Sequence, residues 1–96
     1  AVSIVSDEQV DLVRRFSSPV ADKFEGVDWQ SGANGSPIIS HSSAYLEGNI
    51  LSRLQVHSHT MFIVRITRVV VSDRDPLLYF EGDFFSGSTL TDNLRL

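Results

Sequence analysis

His57 and His59 are the residues of this sequence whose side chains are best suited to chemistry near neutral pH. The ordinary pKa of imidazole lies close to the working pH, so a histidine can take up or release a proton there or donate a hydrogen bond to a bound ring. His59, followed by Thr60, opens a long apolar segment, and we predict that His59 is the main functional residue. The alternative is a loop histidine that only closes the end of a strand.

Neither a metal site nor a hydrolase site is predicted around these histidines. On a strand His57 and His59 would share a face, and His41 is the remaining histidine. Zinc needs three or four converging ligands, and no carboxylate or thiol stands at a supporting spacing. Ser58 lacks the Gly-x-Ser-x-Gly surroundings of a nucleophilic serine, and the sequence has no phosphate-loop or Rossmann glycine pattern.

Two long strand-like segments flank the histidines and must position them. In residues 43–56 apolar and polar residues alternate, which is typical of a half-buried strand. One face would carry Ala44, Leu46, Gly48, Ile50, Leu54 and Val56. Residues 61–71 are almost continuously apolar and β-branched, which predicts a central and largely buried strand.

Shorter elements are predicted before and after these two strands. Residues 2–5 form a strand, and Ser6 is the predicted N-cap of a helix that runs to about Phe16, with Gln9 reaching back to the Ser6 amide. Residues 20–24 add one helical turn. Asn34-Gly35 forms a hairpin turn before a short edge strand that begins at Pro37. Residues 77–80 form the last strand, and residues 86–96 form a tail.

Length and composition indicate one small domain. The 96 residues carry a net charge of −4 and contain no cysteine, which argues against a nucleic-acid surface and excludes disulfides. No apolar run is long enough to cross a bilayer, and we expect a cytoplasmic protein. The chain opens at Ala1 inside an apolar alternation, so we expect residues 1–85 to be the C-terminal part of a larger domain.

Several segments stand in the order seen in one known family: residues 2–9, 16–29, 35–38, 44–47, 59–60 and 76–82. Together they resemble the C-terminal part of the short-chain NAD(P)H:flavin oxidoreductases, the small reductase partners of two-component flavin monooxygenases. The resemblance implies a mainly β fold, an antiparallel FMN-binding split β-barrel with one or two short helices that forms a homodimer. It also implies hydride transfer from NADH or NADPH to FMN or FAD, and reduced flavin passed to a monooxygenase partner.

The same resemblance assigns candidate roles to individual residues. His59 would orient the nicotinamide or the flavin, and Tyr79 would line the same groove, although a core aromatic with its hydroxyl at the rim is the simpler interpretation of Tyr79. Lys23 would meet a cofactor phosphate, or else be a solvated lysine. The remaining predicted cofactor-binding residues are Ser3, Ser6, Phe24 and Thr60.

The sequence also departs from the family pattern. The family usually has Asn where Ser3 stands, often Cys where Gly48 stands, and commonly Gly-Asp-His where this chain has His57-Ser58-His59. The altered triplet favours an alternative function, a non-catalytic flavin-binding or structural homodimeric barrel that has lost the nicotinamide site. Glu47, on the polar face of its strand, is predicted to be a surface or dimer-contact carboxylate.

Overall fold

The computed structural model describes residues 1–90, and a long β-hairpin dominates them. Along the chain, the elements are β1 (Val2–Ile4), α1 (Val10–Phe16), β2 (Trp29–Ser31), β3 (Pro37–Ile39), β4 (Ala44–Val56), β5 (His59–Val71), β6 (Leu77–Phe80), β7 (Asp83–Ser86) and a 3₁₀ turn (Gly87–Thr89). The strands form three antiparallel sheets, β1-β4-β5, β2-β3 and β6-β7. The prediction of a mainly β, antiparallel fold with a short helix is confirmed.

The β4–β5 hairpin turns through two residues, His57 and Ser58, because Val56 pairs directly with His59. His57 has a φ of 54°, in the left-handed region that tight hairpin turns require. Gln55 closes the tip: its side-chain amide donates to the His57 carbonyl at 2.8 Å, and its oxygen accepts from the Thr60 hydroxyl at 3.1 Å.

Two irregularities in the β4–β5 pairing change which side chains share a face. The pairing skips Thr67 on β5 and Leu51 on β4, so each strand carries one extra residue. A single extra residue reverses the alternation beyond it. Leu54 and Val56 therefore lie on the face opposite Ile50, and the prediction that all three share one face is wrong.

The predicted burial of the second long strand is also wrong for the described residues. Every residue of β5 except Val70 is exposed. Among residues 1–90, β5 pairs only with β4, which leaves its outer edge and most of both faces uncovered. The single fully buried apolar side chain among the described residues is Ile38.

The segment before α1 follows the predicted capping scheme only in part. The Ser6 N–H donates to the Gln9 side-chain oxygen at 2.8 Å, as predicted. The Ser6 hydroxyl instead donates to the His41 carbonyl, and Gln9 occupies the N-cap position before Val10. The prediction of Ser6 as N-cap is wrong because its hydroxyl is used to fasten the loop before β4.

The other short predictions have mixed outcomes. The β2–β3 hairpin confirms the Asn34-Gly35 turn. Residues 20–24 form no helical turn. The chain turns at residues 23–26 instead, and the Val27 N–H donates to the Phe24 carbonyl at 3.0 Å. Residue 86 ends β7, and residues 91–96 of the predicted tail lie outside the described residues.

At Gly48 the neighbouring strand β5 leaves no room for a side chain, which yields a testable prediction. A Cβ at this position would collide with the backbone carbonyl of Arg65 and lie 2.7 Å from a methyl group of Val64. Because backbone cannot move aside cheaply, we expect Gly48→Ala to lower the free energy of unfolding by about 1–3 kcal/mol. Chemical denaturation would measure this, with the exposed Ser52→Ala on the same strand as control; equal stability of both variants would contradict the packing described here.

Candidate functional site

A cavity of about 370 Å³ opens between β1, α1 and β3, within the size range of small-molecule sites. Its walls are mostly apolar, and hydroxyl groups are the only polar side-chain groups that line it. The lining residues are Ala1, Ser3, Val5, Leu12, Val13, Phe16, Ser17, Phe24, Pro37 and Ile39. An apolar cavity with few polar groups suits a largely apolar small molecule that makes a few polar contacts.

Aromatic side chains build one wall of this cavity. Phe24 packs edge-on against Phe16, with ring centroids 5.4 Å apart, and against Trp29 on β2 at 5.7 Å. Edge-to-face packing of this kind is a favoured arrangement of aromatic rings, so it holds the Phe24 ring in a defined orientation. The half-buried Phe24 ring can therefore contact a bound ring as a rigid surface.

Ser3 is the polar group that β1 contributes to the cavity. Its hydroxyl oxygen accepts a hydrogen bond from the Ile39 N–H at 3.4 Å, which leaves the hydroxyl proton available to donate elsewhere. The structure thus brings together two predicted cofactor-binding residues, Ser3 and Phe24, which stand far apart in sequence.

Lys23 and Ser6 lie near this cavity but are engaged in the fold. The Lys23 ammonium donates to the Ser18 carbonyl, just past the end of α1. Ser6 has no exposed surface, and its hydroxyl is bonded to the His41 carbonyl. Neither side chain is among those that line the cavity.

The other three predicted site residues lie on two different hairpins. His59 and Thr60 stand at the exposed tip of the β4–β5 hairpin. Tyr79, on β6, is 68% exposed and packs edge-on against Phe84 at 5.4 Å. None of the three lines the cavity formed by Ser3 and Phe24.

A surface network of polar and charged side chains joins four loops and was not predicted from the sequence. His41 lies between Asp28, whose carboxylate is 3.1 Å from its Nε2, and Arg74, whose guanidinium donates to its Nδ1 at 3.2 Å. Arg74 also donates to Glu8 at 3.3 Å. Since arginine can only donate, Nδ1 is the ring nitrogen that accepts this bond. No local pattern marks these residues, because they meet only through the tertiary fold.

Glu47 is buried rather than on the surface, so its predicted surface or dimer-contact position is wrong. Its side chain is 1% exposed, and one carboxylate oxygen accepts from the Asn34 N–H at 3.3 Å. The other oxygen has no hydrogen bond and lies 3.8 Å from the Arg68 guanidinium. The β2–β3 turn packs over Glu47 so closely that a Cβ at Gly32 would collide with its carboxylate.

Two features are absent from the residues that the structure describes. Within residues 1–90, no three His, Asp or Glu side chains converge in a way that would hold a metal ion. No helix in that range is long and apolar enough to cross a membrane.

A family model described as "Flavin reductase like domain" matches residues 1–88, and this chain belongs to that family. A probable flavin reductase of Rhizobium meliloti (strain 1021) is 33% identical over 86 residues, which cover 90% of this chain and 28% of that protein. The flavin-dependent monooxygenase reductase subunit HsaB of Mycobacterium tuberculosis (strain ATCC 25618 / H37Rv) is 33% identical over 86 residues, covering 86% of this chain and 46% of that protein.

Solved structures show the same relationship. A putative oxidoreductase from Sinorhizobium meliloti 1021 superposes with a TM-score of 0.82 at 31% identity, over 90% of this chain and 30% of that one. The NADH:FAD oxidoreductase SgcE6 of Streptomyces globisporus, in complex with NAD and FAD fragments, gives a TM-score of 0.77 at 28% identity, over 86% of this chain and 52% of that one. The predicted split-barrel fold of the flavin reductases is confirmed. The chain spans about half or less of the length of these relatives.

Proposed function

We propose that the protein transfers hydride from NADH or NADPH to FMN or FAD. The observation that carries this proposal is the apolar cavity that joins Ser3 and Phe24 within a flavin reductase-like domain. The names of the relatives support a reductase over a structural module that has lost the nicotinamide site. Relatives are known as reductase subunits of monooxygenases, so we further propose that reduced flavin passes to an oxygenase.

The residues of this chain would bind and orient the two cofactors, which themselves supply the hydride donor and acceptor when bound. Phe24 and Phe16 would exclude water from one side of the flavin ring, and the Ser3 hydroxyl would donate to a ring heteroatom. His59, Thr60 and Tyr79 would act on the nicotinamide or the flavin from the hairpins. Lys23 and Ser6 would support the cofactor site through the backbone segments that they fasten.

Flavin binding by the cavity can be tested by removing its aromatic wall. We expect Phe24→Ala to raise the Kd for FMN about tenfold, because an aromatic stacking surface contributes on the order of 1 kcal/mol or more. A titration followed by flavin fluorescence would measure the Kd. Phe80→Ala removes an equally large but exposed ring away from the cavity and should leave the Kd unchanged. An unchanged Kd for FMN in the Phe24→Ala variant would show that the flavin does not bind in this cavity.

We also propose that the protein forms a homodimer through the β4–β5 hairpin. Its tip exposes apolar side chains on both faces, with Leu54, Val56 and Met61 on one and Ile50 and Phe62 on the other. A contiguous group of exposed apolar side chains is typical of a surface that packs against a partner, and here we assign that partner to a second copy of the chain.

The homodimer proposal predicts that a charge on the hairpin tip breaks the assembly. We expect Leu54→Asp to convert dimer to monomer, because an unpaired carboxylate would be buried at the interface. Light scattering after size exclusion would report the mass. Asn49→Asp adds the same charge at an exposed polar position on the same face and should stay dimeric. A dimeric Leu54→Asp variant, or a monomeric wild type, would overturn this interface.

A further inference from the structure

The Arg15 side chain leaves α1 and binds the backbone of the turn that carries Phe24. Its Nε donates to the Lys23 carbonyl at 3.0 Å, and one of its terminal nitrogens donates to the Asp22 carbonyl at 2.7 Å. A planar guanidinium that bonds two successive carbonyls fixes the direction of both peptide groups. Arg15 is half-buried, and its bond to the Lys23 carbonyl is partly shielded from competing water, whereas its bond to the Asp22 carbonyl is exposed.

This pair of bonds bears on Phe24 because Phe24 is the next residue. The Phe24 N–H is held from the other side by the Asp22 carboxylate at 3.0 Å, and its carbonyl accepts from the Val27 N–H at 3.0 Å. These bonds fix the backbone of Phe24, from which its ring packs edge-on against Phe16 in the cavity wall. Arg15 itself is not among the residues that line the cavity.

We propose that Arg15 is a positioning residue, which acts through Phe24 to set the affinity of the cavity for the flavin ring. The inference rests on the proposed function, since it assigns the ring to this cavity. Lysine cannot replace arginine here, because an ammonium on a flexible stem does not offer two parallel donors in a plane.

Arg14 provides a matched control on the same helix. Its side chain is 67% exposed, lies 3.9 Å from Asp11 and stacks over Phe84 at 5.7 Å, away from the turn that carries Phe24. Arg14→Lys and Arg15→Lys make the same chemical change one residue apart. A general effect of losing an arginine would appear in both variants.

The test is a double-mutant cycle on FMN affinity, with kcat and Tm measured for every variant. We expect Arg15→Lys to raise the Kd and KM for FMN about fivefold to tenfold with kcat changed less than about twofold, as for a loss of binding alone. Arg14→Lys should match the wild type. In a Phe24→Ala background, Arg15→Lys should add less than about a twofold change, since two residues that act through one contact are not additive.

The outcomes separate this inference from the proposed function. An Arg15→Lys variant with wild-type affinity, or one that weakens FMN equally in both backgrounds, overturns the role of Arg15 while flavin binding stands. A wild-type protein that binds no FMN overturns the proposed function and the role of Arg15 with it.

A second variant tests the inference if Arg15→Lys fails to fold. Asp22→Ala, at an exposed position, loosens the same turn from its other side and should also weaken the affinity for FMN. An unchanged affinity in Asp22→Ala would overturn the inference.

Discussion

Replacing His59 by alanine should lower kcat/KM for NADH about 100-fold, the scale expected when a positioned imidazole no longer donates to or exchanges a proton with a reacting group. His59 is exposed at the hairpin tip and makes no side-chain hydrogen bond within the described residues. The free energy of unfolding of the His59→Ala variant should therefore differ little from that of the wild type. Stopped-flow or steady-state NADH oxidation would measure the loss.

The neighbouring histidine provides the control for His59. His57 has a positive φ that asparagine tolerates, so His57→Asn removes the imidazole without straining the turn. We expect this variant to keep its activity within about twofold, because substitution of an exposed turn side chain usually has a small effect. Equal losses in both variants would indicate damage to the hairpin tip, and full activity in His59→Ala would withdraw the functional role of His59.

Replacing Glu47 by alanine should lower the free energy of unfolding by about 2–4 kcal/mol, the combined effect of an emptied site and a lost acceptor. The carboxylate fills the space beneath the β2–β3 turn and accepts from the Asn34 N–H. Its attraction to Arg68 contributes less, because that guanidinium is half exposed to water. Urea denaturation followed by circular dichroism would give the change.

Two further variants separate the causes of the Glu47 effect. Glu47→Gln keeps the volume and an acceptor but removes the charge, and we expect it to cost about 1 kcal/mol. Glu25→Ala removes an exposed carboxylate and should change stability by less than about 0.5 kcal/mol. A Glu47→Ala variant as stable as Glu25→Ala would show that the buried carboxylate is not required by the fold.

The strands and turns could be predicted because their signals are local. Alternation in residues 43–56 and the Asn34-Gly35 pair identified β4 and the β2–β3 hairpin. The extra residues Leu51 and Thr67 could not be recognised from the sequence. A one-residue bulge changes the face on which the following side chains lie, but it does not change the composition of the strand. The apolar residues of β5 likewise indicate that another surface must pack against this strand, but they do not identify that surface.

The candidate site was only partly predictable for the same reason. The family resemblance indicated both Ser3 and Phe24, but their common cavity depends on how β1, α1 and β3 pack. Glu47 occupies a position that alternation assigns to a polar face, and it is buried because a distant turn folds over it. The hydrogen bonds from Arg15 to the turn that carries Phe24 join residues on either side of a proline-containing loop. No rule of sequence spacing predicts a contact of this kind.

The most direct test of the account is to mix the purified protein with FMN and NADH under anaerobic conditions and to follow the visible absorption of the flavin together with the near-ultraviolet absorption of NADH. We predict that the oxidised flavin band disappears as NADH is consumed, one NADH for each flavin, since hydride carries two electrons. A flavin band that persists at saturating NADH, while FMN is demonstrably bound, would contradict the reductase and leave a flavin-binding module that has lost the nicotinamide site.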